Sequence, residues 1–270
     1  MKIGSKEFKT TGKTYIMGIL NVTPDSFSDG GKWNRMDDAL GHVEQMLAEG
    51  MDIVDIGGES TRPGYTLIPD QEEIDRVCPV IEAVKARFDL PISLDTYKSA
   101  VARAGLSAGA DLINDIWGLK YDPEMAHVIA QAGVPSCLMH NRKDKDYKAF
   151  FPDMLSDLRE TLALAERAGI CRDTILLDPG VGFAKSYENN LECVRRLPEL
   201  IAAFDLPVLL GTSRKSMIGL ALGLPADQRV EGTVATSVMA AMAGCMFVRV
   251  HDVQANARAV RMTEAIIHGA

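Results

Sequence analysis

Apolar runs and segments of helical periodicity alternate along this chain. Residues 16–20 form the first run, in which no polar residue interrupts the apolar ones. Such a run is typical of a parallel strand covered on both faces. Between Ala39 and Leu47 the apolar residues then recur every three or four positions, which is the spacing of one helix face. The pattern predicts a strand followed by a helix that covers it.

The same order is repeated to the end of the chain. The predicted strands are residues 15–20, 52–56, 91–94, 111–113, 134–139, 174–177, 207–210 and 245–250. Glycine follows several of the predicted helices, as at Gly109 and Gly169, where it suits a left-handed helix cap. Eight strands alternating with helices predict an α/β fold, the (β/α)₈ or TIM barrel, which typically takes about 250 residues.

Two further features complete the predicted architecture. Residues 2–13 alternate weakly around two glycines and predict a short N-terminal hairpin ahead of the barrel. No low-complexity linker divides the chain, so residues 1–270 are interpreted as one domain. An open doubly wound sheet is the alternative fold, but it would gather ligand groups at a single switch point. Here polar residues follow nearly every predicted strand.

Composition and charge limit the partners that the chain could have. Its 270 residues are 47% hydrophobic and 24% charged, as in an ordinary globular protein. A net charge of −8 argues against nucleic acid or an anionic membrane, since both need clustered Lys and Arg. No apolar run approaches the ~18 residues of a membrane span. The five cysteines form no Cys-x-x-Cys pair. We therefore expect a cytoplasmic protein with small-molecule substrates, no nucleic acid and no membrane.

Polar residues stand at the C-terminal ends of all eight predicted strands. They are Asn21, residues 57–64, Asp95, Asn114, His140, Asp178, residues 211–216, and Arg249 with His251. In a barrel these ends converge on one mouth, where ligands bind. Each alone has an ordinary structural explanation; Arg249, for example, could pair with a neighbouring acid. All eight together favour a site, and Arg249 and His251 would share the face toward the barrel axis.

Five segments among these strand ends carry a resemblance to a known family. They are residues 21–31 (NVTPDSFSDGG), 55–64 (DIGGESTRPG), 178–183 (DPGVGF), 211–216 (GTSRKS) and 249–253 (RVHDV). The chain resembles the dihydropteroate synthases over essentially its whole length. The resemblance implies condensation of hydroxymethyl-dihydropterin pyrophosphate with p-aminobenzoate, giving 7,8-dihydropteroate and pyrophosphate in folate biosynthesis. It also implies a Mg²⁺ cofactor, a homodimer and a target of sulfonamides.

The resemblance further implies which residues form the site. The expected catalytic residues are Asp29, Asp95, Asp178 and Lys215. The expected substrate-binding residues are Asn21, Thr61, Arg62, Pro63, Asp95, Asn114, Met139, Asp178, Phe183, Gly211, Lys215, Ser216, Arg249 and His251. Asn21 is also the expected Mg²⁺ ligand, alongside phosphate oxygens and waters.

Each group of expected residues meets a different part of the substrates. Three polar residues, Asp95, Asn114 and Asp178, would bind the N–H edge of the pterin. Charge-assisted bonds of this kind contribute roughly 1.5–3 kcal/mol each. The others are assigned as follows: Met139 and Phe183 pack on the pterin ring, Arg249, His251 and Asn21 bind the pyrophosphate, Lys215 lies between the substrates, and Thr61, Arg62, Pro63 and Ser216 contact p-aminobenzoate.

Two other functions remain open at this point. Barrel methyltransferases that use methyltetrahydrofolate have a similar pterin pocket, but they do not need an anion site such as Arg249 with His251. A non-catalytic pterin-binding protein would be expected to lose the loop residues Asp29, Thr61 and Arg62, all of which are present.

The strand ends also suggest an order of bond changes. They offer no obvious general base for the aryl amine, because Lys215 should be cationic and His251 is assigned to the phosphates. A dissociative reaction through a carbocation is therefore the expected mechanism.

Glu59 has no assigned role. The helical methionines Met46, Met239 and Met242 could form a surface for a partner, but they are expected to pack against the barrel.

Overall fold

The computed structural model describes residues 1–23, 32–60 and 67–269, with the backbone alone at 32–35. Within these ranges the strands are β1 (Lys2–Ile3), β2 (Lys6–Glu7), β3 (Tyr15–Asn21), β4 (Ile53–Gly57), β5 (Ile92–Asp95), β6 (Leu112–Asp115), β7 (Ser136–Met139), β8 (Ile175–Asp178), β9 (Leu209–Leu210) and β10 (Phe247–Val250). The antiparallel pair β1–β2 is the predicted N-terminal hairpin.

The other eight strands form one parallel sheet in the order β8-β7-β6-β5-β4-β3-β10-β9. Its two edges meet where Leu177 bridges Val208 and the Leu177 N–H donates to the Pro207 carbonyl at 3.0 Å. The predicted barrel is confirmed. The predicted strand 207–210 is shortened to β9, because Pro207 has no N–H for a sheet ladder and Val208 makes only an isolated bridge.

Helices surround this barrel. They are α1 (Lys32–Glu49), α2 (Asp70–Arg87), α3 (Ser99–Ala108), α4 (Met125–Ala132), α5 (Phe150–Ala168), α6 (Tyr187–Arg195), α7 (Leu197–Phe204), α8 (Ser216–Leu222), α9 (Val230–Ala243) and α10 (Val253–His268). Gly109 and Gly169 end α3 and α5 with φ of 114° and 84°, as the sequence predicts. No helix in the described ranges is both long and apolar enough to cross a membrane.

The strands are apolar on both faces because each face packs into a different apolar cluster. Outward-facing residues such as Ile16, Val54 and Ile56 join one large core with helix residues such as Val43 and Met46. Inward-facing residues form a separate cluster inside the barrel: Ile3, Phe8, Tyr15, Met17, Ile53, Leu112, Cys137, Leu176, Leu209, Met246 and Phe247. The continuous apolar run that begins the first strand follows from this double coverage.

The N-terminal hairpin closes the inner cluster from below. Ile3 and Phe8 are both buried, although the strands of the hairpin are only two residues long. The Phe8 ring lies 4.8 Å from the Tyr15 ring and 5.5 Å from the Phe247 ring, between centroids. The hairpin is therefore an apolar plug at the end of the barrel opposite the C-terminal strand ends.

The expectation that the helical methionines pack against the barrel is wrong for two of the three. Met46 is fully buried, whereas Met239 and Met242 of α9 are 44% and 67% exposed. The buried face of α9 consists of small residues, including Thr236 and Ala240. Small side chains let this helix lie close to its neighbours, which leaves the methionines on the outer face.

The plug gives a first testable prediction. Phe8→Ala should lower the free energy of unfolding by about 3–5 kcal/mol, because it leaves a cavity among buried aromatic rings. Urea unfolding would measure this, with Glu7→Ala on the exposed side of the hairpin as control. Because the plug lies away from the strand ends, ligand affinity in the folded protein should not change. A large loss of affinity without destabilisation would contradict this assignment.

Candidate active site

Strand register brings polar residues to one level of the barrel mouth. Asn21 is paired with Gly57, Gly57 with Asp95, and Asp95 with Asn114, across β3 to β6. Residues opposite each other in parallel strands point to the same face. On the other side of the barrel, Met139 of β7 is paired with Asp178 of β8. The structure therefore places several of the expected site residues around one opening.

Arg249 lies at this opening and is bonded to two acids. Its Nε donates to Asp55 Oδ2 at 2.5 Å, and its Nη2 donates to Asp95 Oδ2 at 2.7 Å. Asp55 is fully buried and also accepts from Ser93 Oγ at 2.5 Å and from Asn114 Nδ2 at 3.3 Å. The ordinary explanation for Arg249, pairing with neighbouring acids, is thus what the structure has. Its contact with phosphates stays a prediction.

Asp95 presents an acceptor to the mouth. Its Oδ1 is buried and has no hydrogen-bond partner among the described residues. Burial raises the pKa of Asp95 to about 7; the Arg249 charge opposes this shift and the Asp55 charge adds to it. Buried acceptors in folded proteins are nearly always hydrogen-bonded. The unpartnered oxygen therefore marks a position for a ligand donor.

Asp178 and Lys215 form the opposite wall. Asp178 Oδ1 accepts from the Gly180 N–H at 2.7 Å, and burial raises the Asp178 pKa while Lys215 opposes the rise. Lys215 donates from Nζ to the Val181 carbonyl at 2.5 Å and lies 4.8 Å from the centre of the Phe183 ring. Burial lowers the pKa of Lys215 to about 8, so the ammonium remains the major form at pH 7.

Gly211 leaves open space between these charged groups. A methyl group placed on its Cα would lie 3.8 Å from Asp178 Oδ2, 3.9 Å from Lys215 Nζ and 3.9 Å from Arg249 Cβ. These are ordinary van der Waals distances, and they show that Gly211 faces the same cavity as the acid and the two cations. Ser216, the first residue of α8, is exposed at the rim.

His251 has different partners from Arg249. Its Nδ1 lies 2.9 Å from Ser213 Oγ, and its backbone N–H donates to the same oxygen at 3.1 Å. The strand β10 ends at Val250, so His251 lies just beyond it and is half-buried. The two residues expected to bind pyrophosphate are thus held by different neighbours, the acids for Arg249 and a hydroxyl for His251.

Four of the expected site residues lie outside the described ranges. They are Asp29, Thr61, Arg62 and Pro63. Their roles stay predictions.

Glu59, which has no role in the sequence interpretation, is the centre of a buried polar cluster. It accepts from the Tyr97 hydroxyl, from Lys98 Nζ at 2.6 Å and from the Ile68 N–H at 3.1 Å. Lys98 Nζ also lies 2.8 Å from Glu73 Oε2 and donates to the Ile68 carbonyl at 2.8 Å. Glu59 therefore ties Ile68 to the end of β4. The sequence gives no signal for this, because the partners are distant along the chain.

Asp55 and Ser93 are also missed by reasoning on strand ends alone. Each lies two residues before a site position, Asp55 before Gly57 and Ser93 before Asp95, and so shares its inward face. The period of two along a strand is the signal that could have found them.

The expected role of Asn21 as a magnesium ligand stays a prediction. No three His, Cys, Asp or Glu side chains in the described ranges lie together in a way that could hold a metal. The Oδ1 atom of Asn21 and the Oδ2 atom of Asp95 both face the space in front of Gly57, 3.9 and 3.7 Å from the position of a Cβ there. One neutral oxygen suits Mg²⁺, which keeps several waters and takes phosphate oxygens as ligands.

Comparison with known proteins is consistent with this geometry. Residues 17–251 match the model of the family described as pterin binding enzyme. A dihydropteroate synthase of Clostridium beijerinckii is 58% identical over 99% of this chain and 99% of its own. The dihydropteroate synthase of Xanthomonas albilineans, solved with 4-aminobenzoic acid, has a TM-score of 0.91 and 43% identity, covering 95% of this chain and 94% of that one.

A third relative was solved with a drug. The Yersinia pestis dihydropteroate synthase, in complex with a sulfonamide drug, has a TM-score of 0.92 and 43% identity. The alignment covers 98% of this chain and 98% of that chain. The likeness therefore extends over the whole barrel and is not limited to the motifs.

The pKa of Asp95 gives a testable prediction for this site. A ligand with N–H donors should bind best to the ionised carboxylate, so its affinity should fall as the pH drops below about 7, where Asp95 takes up a proton. Calorimetric titration with a pterin between pH 5.5 and 8.5 would measure this. Asp95→Asn should bind more weakly and lose that pH dependence. An unchanged pH dependence in Asp95→Asn would assign the titration to another group.

Proposed function

Because the chain belongs to the pterin-binding enzymes, and within them to the dihydropteroate synthases, we propose that its barrel mouth binds the two substrates of that reaction as follows. The protein is a transferase of folate biosynthesis, which condenses hydroxymethyl-dihydropterin pyrophosphate with p-aminobenzoate. The identity with its relatives over the full chain places it with these synthases and sets aside the methyltransferase and non-catalytic alternatives.

The observation that carries the proposed pterin site is the pair of buried carboxylates on opposite walls. Asp95 has an unpartnered oxygen, and Asp178 lies beside Lys215 and Gly211. A pterin has a row of N–H donors next to a carbonyl, so it needs carboxylate acceptors and a nearby donor. Asn114 completes the acceptor wall, while Met139 and Phe183 belong to one apolar cluster that would pack on the ring.

Pyrophosphate is the proposed ligand of the cationic side of the mouth. Arg249 uses Nε and Nη2 for its two acids, so Nη1 of the guanidinium fork is the group that would approach a phosphate oxygen. His251 and Asn21 are also assigned to bind the pyrophosphate. Asn21 would hold Mg²⁺ together with phosphate oxygens, and the ion would supply positive charge to the departing pyrophosphate.

The second substrate is proposed to bind at the rim. Ser216 is exposed there, next to Lys215, and Thr61, Arg62 and Pro63 are assigned to the same contact. The Xanthomonas albilineans relative was solved with 4-aminobenzoic acid, which supports such a site. By the same reasoning, the sulfonamide bound to the Yersinia pestis relative supports a sulfonamide site in this chain.

A dissociative order of steps is proposed for the chemistry. Lys215, with a pKa lowered only to about 8, is mainly cationic at pH 7 and so is a poor base for the aryl amine. Groups that stabilise departing negative charge are present at the mouth, and such stabilisation is often the largest part of catalysis. Asp95 and Asp178 would favour the positive charge left on the pterin. Pyrophosphate would leave first, and p-aminobenzoate would add afterwards.

A homodimer is proposed through the outer face of α8, α9 and α10. The exposed apolar residues on these three helices are Leu220, Leu222, Met239, Met242, Met262, Ile266 and Ile267. The helix α9 packs against both α8 and α10, so the three helices that carry these residues are neighbours. Large apolar patches are typical of interfaces, and a second copy of the same chain offers the same patch in return.

A cytoplasmic location is also part of the proposal. All five cysteines are free, and Cys137, Cys193 and Cys245 among them are buried. Unpaired thiols are typical of a reducing compartment.

The pterin site is tested by Asp178→Asn. The change is nearly isosteric, but an amide has one acceptor oxygen where a carboxylate has two, and it carries no charge. The pterin dissociation constant should rise by roughly tenfold or more, the size of a charge-assisted bond. Calorimetry and steady-state turnover would measure binding and rate, with thermal unfolding to check the fold. Normal turnover at low pterin concentration would refute the assignment of this wall.

The order of steps is tested by positional isotope exchange. Hydroxymethyl-dihydropterin pyrophosphate is labelled at the oxygen that bridges carbon and phosphorus. It is incubated with enzyme and Mg²⁺, either without p-aminobenzoate or with a non-nucleophilic analogue of it. If the C–O bond breaks first, the label should scramble between bridging and non-bridging positions. No scrambling under either condition, while the complete reaction runs at full rate, would rule out the cation.

The dimer is tested by placing a charge in the apolar surface. Met242→Glu should shift the protein from dimer to monomer in light scattering coupled to size exclusion, because it buries a carboxylate at the interface. His127→Glu puts the same charge on the exposed face of α4 and should leave the dimer intact. A monomeric wild-type protein at micromolar concentration would contradict the proposal.

A further inference from the structure

A buried cluster behind the pterin pocket is not used by any step proposed above. Lys185 is only 4% exposed, and its Nζ lies 2.9 Å from Nδ1 of His140, which is itself buried at the end of β7. His140 Nε2 lies 2.9 Å from Asp157 Oδ2 on α5. Arg142 contacts the same carboxylate from Nε at 2.6 Å and from Nη2 at 3.1 Å.

Donor and acceptor chemistry fixes the protons in this cluster. A lysine ammonium has three donors and no acceptor, so His140 Nδ1 must accept through its lone pair. The proton of the neutral ring is then on Nε2 and is donated to Asp157. Burial lowers the pKa of His140 to about 4, which agrees with a neutral ring. The bonds from His140 and Arg142 lower the pKa of Asp157 against the effect of burial, so this residue is a carboxylate.

The cluster is connected to the pocket through the turn that follows β8. Lys185 Nζ also donates to the Phe183 carbonyl at 3.1 Å. Ala184 has a φ of 43°, unusual for a residue with a side chain, and its carbonyl accepts from the Tyr147 hydroxyl at 3.0 Å. The same turn supplies the Val181 carbonyl to Lys215.

The turn also packs directly on His140, the residue that follows β7. Gly180 has a φ of 69°, and a Cβ there would overlap the His140 carbonyl oxygen and lie 3.2 Å from Lys185 Nζ. The backbone at Gly180 in turn donates to Asp178. The buried ammonium therefore lies in the space between β7 and this turn, directly behind a wall of the pocket.

We infer that Lys185, His140 and Asp157 form a positioning relay, in which α5 holds the ring of His140, the ring holds Lys185, and Lys185 holds the turn that presents Phe183 to the pterin and the Val181 carbonyl to Lys215. None of the three is assigned a contact with substrate, so they are positioning residues. The inference rests on the proposed pterin pocket and adds the residues that fix its shape.

The first test is Lys185→Met, which keeps the length of the side chain and removes its donors. The pterin dissociation constant, measured by calorimetry with hydroxymethyl-dihydropterin pyrophosphate alone, should rise roughly tenfold, the effect of losing about one hydrogen bond. The KM for p-aminobenzoate at saturating pterin should change less than twofold. Lys85→Met, which removes an ion pair with Asp111, is the matched control and should bind as the wild type does.

Two substitutions of His140 separate the two halves of the relay. His140→Asn keeps an acceptor near the position of Nδ1, and His140→Gln keeps a donor near the position of Nε2. The relay predicts that Asn preserves more pterin affinity than Gln, because only Asn can still hold Lys185. Equal losses in both variants, or a smaller loss in Gln, would overturn the relay.

A double-mutant cycle shows whether Lys185 acts through the turn. In a Phe183→Leu background, Lys185→Met should cost much less pterin affinity than in the wild type, because the ring that it positions is already gone. Additive losses would mean that Lys185 acts on stability alone, and would overturn the inference. A wild-type protein that does not bind the pterin would instead refute the proposed pocket.

Discussion

The ion pairs of Arg249 with Asp55 and Asp95 are the interaction on which the barrel mouth depends. Two buried carboxylates on neighbouring strands repel each other, and the Arg249 charge opposes the rise that burial and the Asp55 charge cause in the pKa of Asp95. The guanidinium stays charged at any physiological pH and has a planar fork that can meet both acids at once. Breaking a buried ion pair by removing one partner typically costs about 3–5 kcal/mol. Arg249 therefore supports the acceptor wall in addition to its proposed contact with pyrophosphate.

Stability and binding come from different levels of the same strands. Below the mouth, the barrel is filled by apolar side chains and closed by the hairpin residues Ile3 and Phe8. Above this floor, the inward positions become polar on several strands, as at Asp55 on β4 and Asp95 on β5. The floor excludes water from below, and this burial shifts the pKa values of Asp95 and Lys215 toward neutrality.

Much of this could be predicted from the sequence, because it depends on periodicity. Continuous apolar runs gave the strands, and polar strand ends such as Asn21 and Asp178 gave the mouth. The remaining features depend on contacts between distant segments. Nothing in the sequence pairs Glu59 with Lys98 or Lys185 with His140, since each pair is about 40 residues apart. The prediction that Met242 packs against the barrel is wrong, because the apolar residues of α9 do not by themselves show which face of the helix is buried.

A crystal structure of the protein with a bound pterin would show directly whether the two carboxylates hold the ligand. The N–H edge of the pterin should lie within hydrogen-bond distance of Asp95 Oδ1 and of the Asp178 carboxylate. The ring should lie between Met139 and Phe183, with Arg249 still paired to Asp55. A pterin bound elsewhere on the barrel, or bound at the mouth without contact to either carboxylate, would contradict it.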